Sequence, residues 1–565
     1  MKKLLMSTAI SAVIFAGQAS AAIPVTTAGG VDFSAKTGVG NVANVAGTAY
    51  FSGSSAATPF LEKSILNAAA PGSKVFKYYD SSKAAFTYYF ATGTTPPTGL
   101  TANKNYVVHK RDKGGSVTAV LAASGVAANV ATVTYNTTLP TVVGSFGNVA
   151  ATVYPCTAPA VLSTTAANLV TCTGTTAVTL AVLPTGAVSV NLADVDAAQF
   201  ASALNGATTA NSLATKAPTI SSNSVATQIF GVALTLKLRN ALQVAEIASG
   251  ALPATCTAGD ETQACIPSLT SQDVSALFAS GRLTDWTNLR FGGATGQDLV
   301  SAQTPANVPG NTNVHICSRT AGSGTLATAQ IAFENAPCTA VSEAIQSPSA
   351  LTIVPESGLP GSLKAYHATT SSGELENCLE TLDGYNVATA TSGSSMVANG
   401  TFTPLPAFIG TANFRWAVGI LNTDRNANNA LPYRFAKIDG YAPSAENVAK
   451  GKYKFWSELS TVGTVPTATS NALAYSLLTL MTDPATIAKA NVTSTNFGIT
   501  GYLGSASNAT YGTVITPGTL INAAFDSLRP VNPFTHATAA NTAGSVNHCR
   551  VANVLGGAKA LPGLN

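Results

Sequence analysis

The sequence is short of charge: only 10% of its 565 residues are Asp, Glu, Lys or Arg, against the roughly 25% usual in soluble domains. Ala, Thr, Ser, Gly and Asn take the surface positions instead. The formal net charge is +4, and Lys2 and Lys3 are part of it. No Lys/Arg cluster forms a basic face, which argues against nucleic acid as a partner. Histidine is scarce too. His109, His315, His367, His536 and His548 stand apart, without HxxxH or a comparable spacing, so the sequence predicts no metal site. No cysteine lies in a CxxC pair. No G-x-S-x-G elbow comes with triad partners, so neither enzyme chemistry nor a cofactor is expected. Beyond the first residues there is no run of the roughly 18 apolar residues that a membrane helix needs, so the mature chain is not expected to insert into a membrane.

What is present begins with an export signal. The opening "MKKLLMSTAISAVIFAGQASA" has two lysines, an apolar stretch from Leu4 to Ala16 and a small-residue cleavage site at Ala19-Ser20-Ala21. It reads as a secretory signal peptide over residues 1–21, with the mature chain starting at Ala22. No cysteine follows the cleavage site, so lipid anchoring is not expected there, and the protein is expected to be periplasmic or secreted. A hydrophobic fraction of 46% suffices for real cores. Eight cysteines form an even set, as disulfides in an exported chain would require. Sequence order suggests Cys156 with Cys172, Cys256 with Cys265, Cys317 with Cys338, and Cys378 with Cys549. Each short bridge would stabilise by about 2–4 kcal/mol.

Strand and helix patterns alternate along the chain. "TAYFSGSSAATPFLEKSILNAA" reads as strand, Gly/Ser loop and helix, and "KNYVVHKRDKGGSVTAVLAA" repeats the unit with a helix starting near Ser116. From about Gly125 to Val190 the chain is rich in Ala, Thr and Val and reads as a partly β insertion. "VSVNLADVDAAQFASAL" gives a strand ending at Asp194 and Asp196. "ATQIFGVALTLKLRNALQ" gives a strand over Ile229 to Leu236 before a basic helix, and Ser271 is a candidate N-cap for the helix of Val274, Leu277 and Phe278. "TNVHICSRTAGSGTLATAQIAF" is again strand, loop, helix. "FRWAVGILNTD" reads as a buried strand, and "NALAYSLLTLM" and "GTLINAAFDSL" as helices. Such alternation predicts an α/β fold with mostly parallel sheets. No repeat of fixed period suggests a solenoid.

In open α/β sheets, ligands bind where strands end and loops lead into helices. Four such junctions, "GSSAAT", "KGGS", "LADVD" and "RTAGSGT", carry small polar residues. Together they would form an anion site: glycines admit the backbone, helix N-termini offer N–H groups, and one arginine supplies a bidentate fork. Asp194 adds discrimination. An ionised carboxylate only accepts hydrogen bonds, so it can hold a protonated oxyanion such as hydrogenphosphate and rejects sulfate. The plainer readings are a solvated Arg319 in a surface turn, and Asp194, Ser55 and Ser116 as helix caps. Trp286, Trp416 and Trp456 read as core residues.

Seven segments in order resemble the periplasmic phosphate-binding proteins of ABC transporters, the PstS-like members of the type II solute-binding superfamily. They are "TAYFSGSSAATPFLEKSI", "LADVDAAQF", "IFGVALTLKLRNALQ", "LTSQDVSALFASGRLTDWTNL", "ICSRTAGSGTLAT", "WAVGILNTD" and "KIDGYAPSAENVAKGKYKFW". They span roughly Gly47 to Leu459. The resemblance implies a two-lobed type II periplasmic-binding-protein fold with a ligand cleft between lobes, phosphate or a related oxyanion as ligand, and an ABC permease as docking partner. It implies Arg319, Ser323, Gly324 and Thr325 as the phosphate loop, Asp194 as the acceptor and Ser116 as the serine of the second loop. The family's first-loop pair falls on Ser55 and Ala56 when Pro59 is aligned, or on Ala57 and Thr58 two residues on; Ser55 keeps a hydroxyl. The family's "GAS" before the aspartate is "NLA" here.

The expected organisation is a first lobe over 22–230 and 433–464, a second over 231–432, and a C-terminal extension over 465–565. The competing reading is a secreted surface or matrix protein on the same fold, its anion site lost or altered. The unusual length, the Thr/Ala-rich insertion and the long tail favour it.

Overall fold

The structure, a computed structural model, describes residues 45–79, 85–136, 161–174, 189–279, 282–292, 296–339, 364–384, 414–507, 524–537 and 546–554, with scattered positions between 156 and 187. The expected signal peptide, much of the expected insertion and the start of "GTLINAAFDSL" lie outside the described residues.

Strand β1 (Val45–Gly53) leads into helix α1 (Thr58–Ala68). Pro59 sits in the first turn of α1, where no intrahelical donor is lost. The buried Phe60, Leu61 and Ile65 anchor that helix, each contributing about 1.5–3 kcal/mol. Next come β2 (Lys74–Tyr79), β3 (Ala85–Ala91), β4 (Asn105–Arg111), α2 (Ser116–Ala123) and β5 (Ser189–Ala193). The crossing element is β6 (Ser222–Thr235), 14 residues long, followed by α3 (Leu236–Ser249). Then α4 (Ser271–Phe278), β7 (His315–Arg319), α5 (Gly324–Glu334), β8 (Ala365–Thr369), α6 (Ser372–Leu382) and β9 (Ala417–Asn422) complete the middle of the chain. The return uses β10 (Trp456–Val462), α7 (Ala472–Thr482), α8 (Pro484–Ala490) and β11 (Tyr502–Ser505).

Pairing gives the two halves one plan. In the first, β1 lies between the parallel strands β4 and β5, and β10 runs antiparallel beside β5. In the second, β7 lies between the parallel strands β8 and β9, and β6 runs antiparallel beside β9. The two antiparallel strands then pair with each other, from Ser222 opposite Val462 to Ile229 opposite Trp456. The fold is therefore α/β and two-lobed. β6 serves the first lobe up to Ile229 and the second from Phe230, which explains why it is longer than the strand its apolar run predicts.

Three sequence expectations are corrected. The Cys256–Cys265 bridge forms, but Cys317 pairs with Cys378 and Cys338 with Cys549. Proximity in sequence misleads here because Cys317 is on β7, against which α6 packs Cys378 in the same apolar cluster. Cys172 is bonded, and Cys156 stands opposite it in the strand register. The N-cap of α4 is Thr270, not Ser271: Thr270 forms a capping box with Asp273, while Ser271 donates to Asp439 through its backbone N–H at 2.8 Å. Last, residues 433–435 pair with Ala233–Thr235 of the second lobe, and Val448, Tyr453 and Phe455 pack in its core. The chain re-enters the first lobe only at Trp456.

The C-terminal segment is built in. Leu473, Leu477, Met481 and Ile487 of α7 and α8 share one core with Phe60, Leu61 and Ile65 of α1, and Tyr502 stacks on Phe60 at 4.5 Å.

Glu246 on α3 gives a test of this packing. Burial pushes its carboxyl from 4.5 up to about 8, although the Ser268 backbone N–H donates to it at 2.9 Å and Lys437 lies nearby. Because the folded value exceeds the unfolded one, this group's contribution is complete below pH 4.5 and is lost as pH rises through about 8. The thermal stability of wild type should therefore fall between about pH 5 and pH 8 and level off above that, and Glu246→Gln should flatten that slope. Parallel slopes in the two proteins would disprove the assignment.

Candidate functional site

The four small-residue junctions meet at Asp194, directly after β5. Asp194 is 2% exposed. Its Oδ1 accepts from the Ser54 hydroxyl and from Gln228 Nε2 at 3.2 Å, its N–H donates to Ser116 Oγ at 3.1 Å, and its carbonyl accepts from Ser457 Oγ at 2.5 Å. Burial pushes the carboxyl above its ordinary range, opposed by Ser54, Gln228, the charge of Arg319 and Ser116.

Facing it is the start of α5. Ser323 is the N-cap, accepting from the Leu326 N–H at 3.4 Å. The positive end of the helix thus points to the buried carboxyl. Gly324 is required by contact: a Cβ there would lie 2.2 Å from Ser116 Oγ and 2.6 Å from Asp194 Oδ2. Gly322 O also accepts from the Val117 N–H at 2.9 Å, joining the second-lobe loop to α2 of the first. Beside these polar contacts Ala327 of α5 packs with Val120, Val195 and Ala197 in an apolar interlobe cluster.

Arg319 ends β7 and is 3% exposed. Its Nη1 donates to Ser372 Oγ at 3.2 Å and its Nη2 to Thr370 O at 3.1 Å. Burial lowers its guanidinium to about 10, with Asp194 acting the other way, so it is charged at neutral pH. Thr325 is buried beside Arg319, next to a small void of about 10 Å³.

The sequence places the first-loop hydroxyl at Ser55, but the residue that reaches Asp194 is Ser54, which also accepts from the Ala57 N–H at 3.1 Å. Ser55 and Ala56 contribute carbonyls: Ser55 O accepts from the Thr58 N–H and Ala56 O from Tyr502 at 2.9 Å. The capping role considered for Asp194 belongs to Asp196, which accepts from the Ala198 N–H at 3.1 Å.

Several members give no motif signal. Gln228 lies in an apolar strand, Ser457 arrives from the return segment, and Lys110 is a fully buried lysine on β4. Its Nζ donates to Gly53 O at 2.9 Å, Ser54 O at 3.2 Å and Asp112 Oδ1 at 2.8 Å, tying the first loop to the second. A buried charge must be paired this way.

No family model and no curated protein matches the sequence. Among solved structures, the chain is similar to a putative phosphate ABC transporter substrate-binding protein from Clostridium perfringens, solved with bound phosphate. Identity is 11%, coverage is 77% of this chain and 93% of that one, and the TM-score is 0.32. PstS from Borrelia burgdorferi matches at 10% identity, 77% and 92% coverage and a TM-score of 0.27. An ABC-type phosphate transport receptor from Vibrio cholerae matches at 12% identity over 43% of this chain and 60% of that one, with a TM-score of 0.21. Superposition this loose leaves the functional reading to the residues themselves.

The Gly324 contact is directly testable. Gly324→Ala should destabilise the chain by roughly 1–3 kcal/mol, the cost of overpacking a close interface. Gly292→Ala, where a Cβ meets nothing within 4 Å, should leave the melting temperature unchanged. Equal melting of the two variants would show that the lobes do not close on Gly324.

Proposed function

We propose that the chain is an exported solute-binding protein that holds a protonated tetrahedral oxyanion, hydrogenphosphate above all, between its lobes for ABC-type uptake. The observation that supports this reading is the buried Asp194 carboxylate set against the N-terminus of α5, with Arg319 near enough for its charge to act on it. A carboxylate, a guanidinium and a helix N-terminus at one point are the acceptor, the countercharge and the donor set that HPO4²⁻ needs. Ser54, Ser116, Ser323 and Thr325 add hydroxyls around them. Specificity follows from the carboxylate. Sulfate offers no proton to Asp194, and its charge would meet that of the carboxylate without an intervening hydrogen bond.

Gly324 sits directly on Asp194 and Ser116, so an entering ion must first part the lobes. Hinge motion at the two crossing strands β6 and β10 is the natural means.

One observation favours the second reading, a surface or matrix protein. The Cys338–Cys549 bridge joins the residues after α5 to the C-terminal segment, and the neighbouring His548 is bonded to Asp196 of the first lobe, its N–H donating to Oδ2 at 2.8 Å. This fastening crosses from lobe to lobe.

Calorimetric titration separates the two readings. The full chain is first stripped of co-purifying ligand by partial unfolding and dialysis, then titrated with phosphate and with sulfate. On the transport reading phosphate binds and sulfate does not. Asp194→Ala and Arg319→Ala should each weaken phosphate by about 10- to 100-fold, equivalent to the roughly 1.5–3 kcal/mol of a hydrogen bond to a charged group. If the stripped, folded protein binds neither anion, the cleft is only an interface and the surface-protein reading replaces the first.

A further inference from the structure

A second polar cluster lies where the C-terminal segment meets the return strand β10. Among the described residues, Glu458, His536 and His548 bring one ligand atom each to within 4.8 Å of one another. Glu458 Oε2 lies 2.6 Å from His536 Nδ1 and 3.3 Å from His548 Nε2. We propose that Glu458 Oε2, His536 Nδ1 and His548 Nε2 form a binding site for a divalent transition metal of the zinc class.

Three features beyond proximity support it. The first is orientation from outside the cluster. The Nδ1 of His548 lies 2.9 Å from Asp196 Oδ2, and that carboxylate also receives the His548 N–H at 2.8 Å and Gln199 Nε2 at 3.1 Å. The Asp196 N–H also lies 3.0 Å from that Nδ1, so Asp196 grips the far edge of the ring and Nε2 is turned toward Glu458 and His536, as outer carboxylates orient metal-binding imidazoles. Likewise, Glu458 Oε1 is held by the His536 N–H at 2.7 Å and Thr535 Oγ1 at 2.8 Å, leaving Oε2 for the cluster.

The second is the inward nitrogen itself. His548 is 4% exposed, and its buried Nε2 has Glu458 Oε2 at 3.3 Å as its neighbour, without the alignment of a hydrogen bond. A buried polar atom of this kind calls for a partner, and a metal ion supplies one.

The third is access. Both histidines line a cavity of about 850 Å³, together with Trp456, Phe455 and Ser457. Two imidazoles and one carboxylate make the N2O donor set that suits zinc, and a ring edge open to a cavity leaves room for a water as fourth ligand. Glu458 and Asp196 together carry the charge that a divalent ion balances.

The site is independent of the oxyanion reading and is tested on the full chain. After dialysis against a chelator, titration with Zn²⁺ should give one ion per chain by calorimetry and elemental analysis. Co²⁺ in its place should show the visible absorption of a four-coordinate site. His536→Ala, at the most exposed of the three ligands, and Glu458→Gln should lose stoichiometric binding while keeping a cooperative melt. Asp196→Asn should weaken it by about 10- to 100-fold, as expected for a group that orients a ligand. A folded wild-type chain that takes up less than one Zn²⁺, or a Co²⁺ complex with the spectrum of the free aqueous ion, overturns the proposal without recourse to any variant. Wild-type affinity in His536→Ala would overturn it as well.

Discussion

The constraint on which the rest of the structure depends is the burial of the Asp194 carboxyl. A carboxylate removed from water is costly unless donors and countercharge surround it. The chain supplies these from separate places: Ser54 from the first loop, Gln228 from β6 and Arg319 from the second lobe act on the carboxyl, while Ser116 from the second loop and Ser457 from the return strand hold the Asp194 N–H and carbonyl. None is near Asp194 in sequence. Each therefore makes the position of one element conditional on the others, and the lobes come together around a charge that either alone would leave poorly satisfied.

The shared strand plan explains why this can happen at all. In each half the central parallel strand ends at a loop that enters a helix, and the antiparallel strand from the other half lies beside the third strand. Because β6 and β10 pair with each other, the loops after β1, β4 and β5 face the loop after β7. Glycine then sets how closely they approach. Gly324 and Gly322 leave the backbone in contact with Ser116, Asp194 and Val117, where a side chain would hold the lobes apart. The apolar contact of Ala327 with Val120 and Val195 lies alongside, so closure is driven by packing as well as by charge.

Much of this plan was legible because apolar periodicity is local. The strand–loop–helix units around Ser54, Ser116, Asp194 and Arg319 appear where the sequence places them, and so does α7. What was not legible depends on contact between distant segments. Cys317 bonds to Cys378 because α6 packs on β7, and spacing along the chain carries no trace of that. The first-loop hydroxyl comes from Ser54 and not Ser55 because the register of one turn, which neither period nor composition determines, decides which serine points inward. Lys110 belongs to no motif, yet its ammonium is the buried pin between two loops. His536 and His548 looked isolated because the residue that joins them, Glu458, precedes them by some eighty positions.

Asp194 and Asp196 also show how one short segment serves two surroundings. In extended backbone, residues two apart share a face, but the chain turns after Val195 into a short 3-10 helix that Asp196 caps. That turn sends the two carboxyls in different directions. Asp194 faces Ser54, Gln228 and the start of α5, whereas Asp196 faces His548 and Gln199. The opposite displacements of their acidities report the difference: burial dominates at Asp194 and raises it, while at Asp196 the hydrogen bonds from His548 and Gln199 outweigh burial and lower it. Asp196 is bonded to His548 of the C-terminal segment, and through the Cys338–Cys549 bridge the second lobe is fastened to that same segment. The tail is thus bonded to both lobes, a structural role for a segment whose composition alone suggests none.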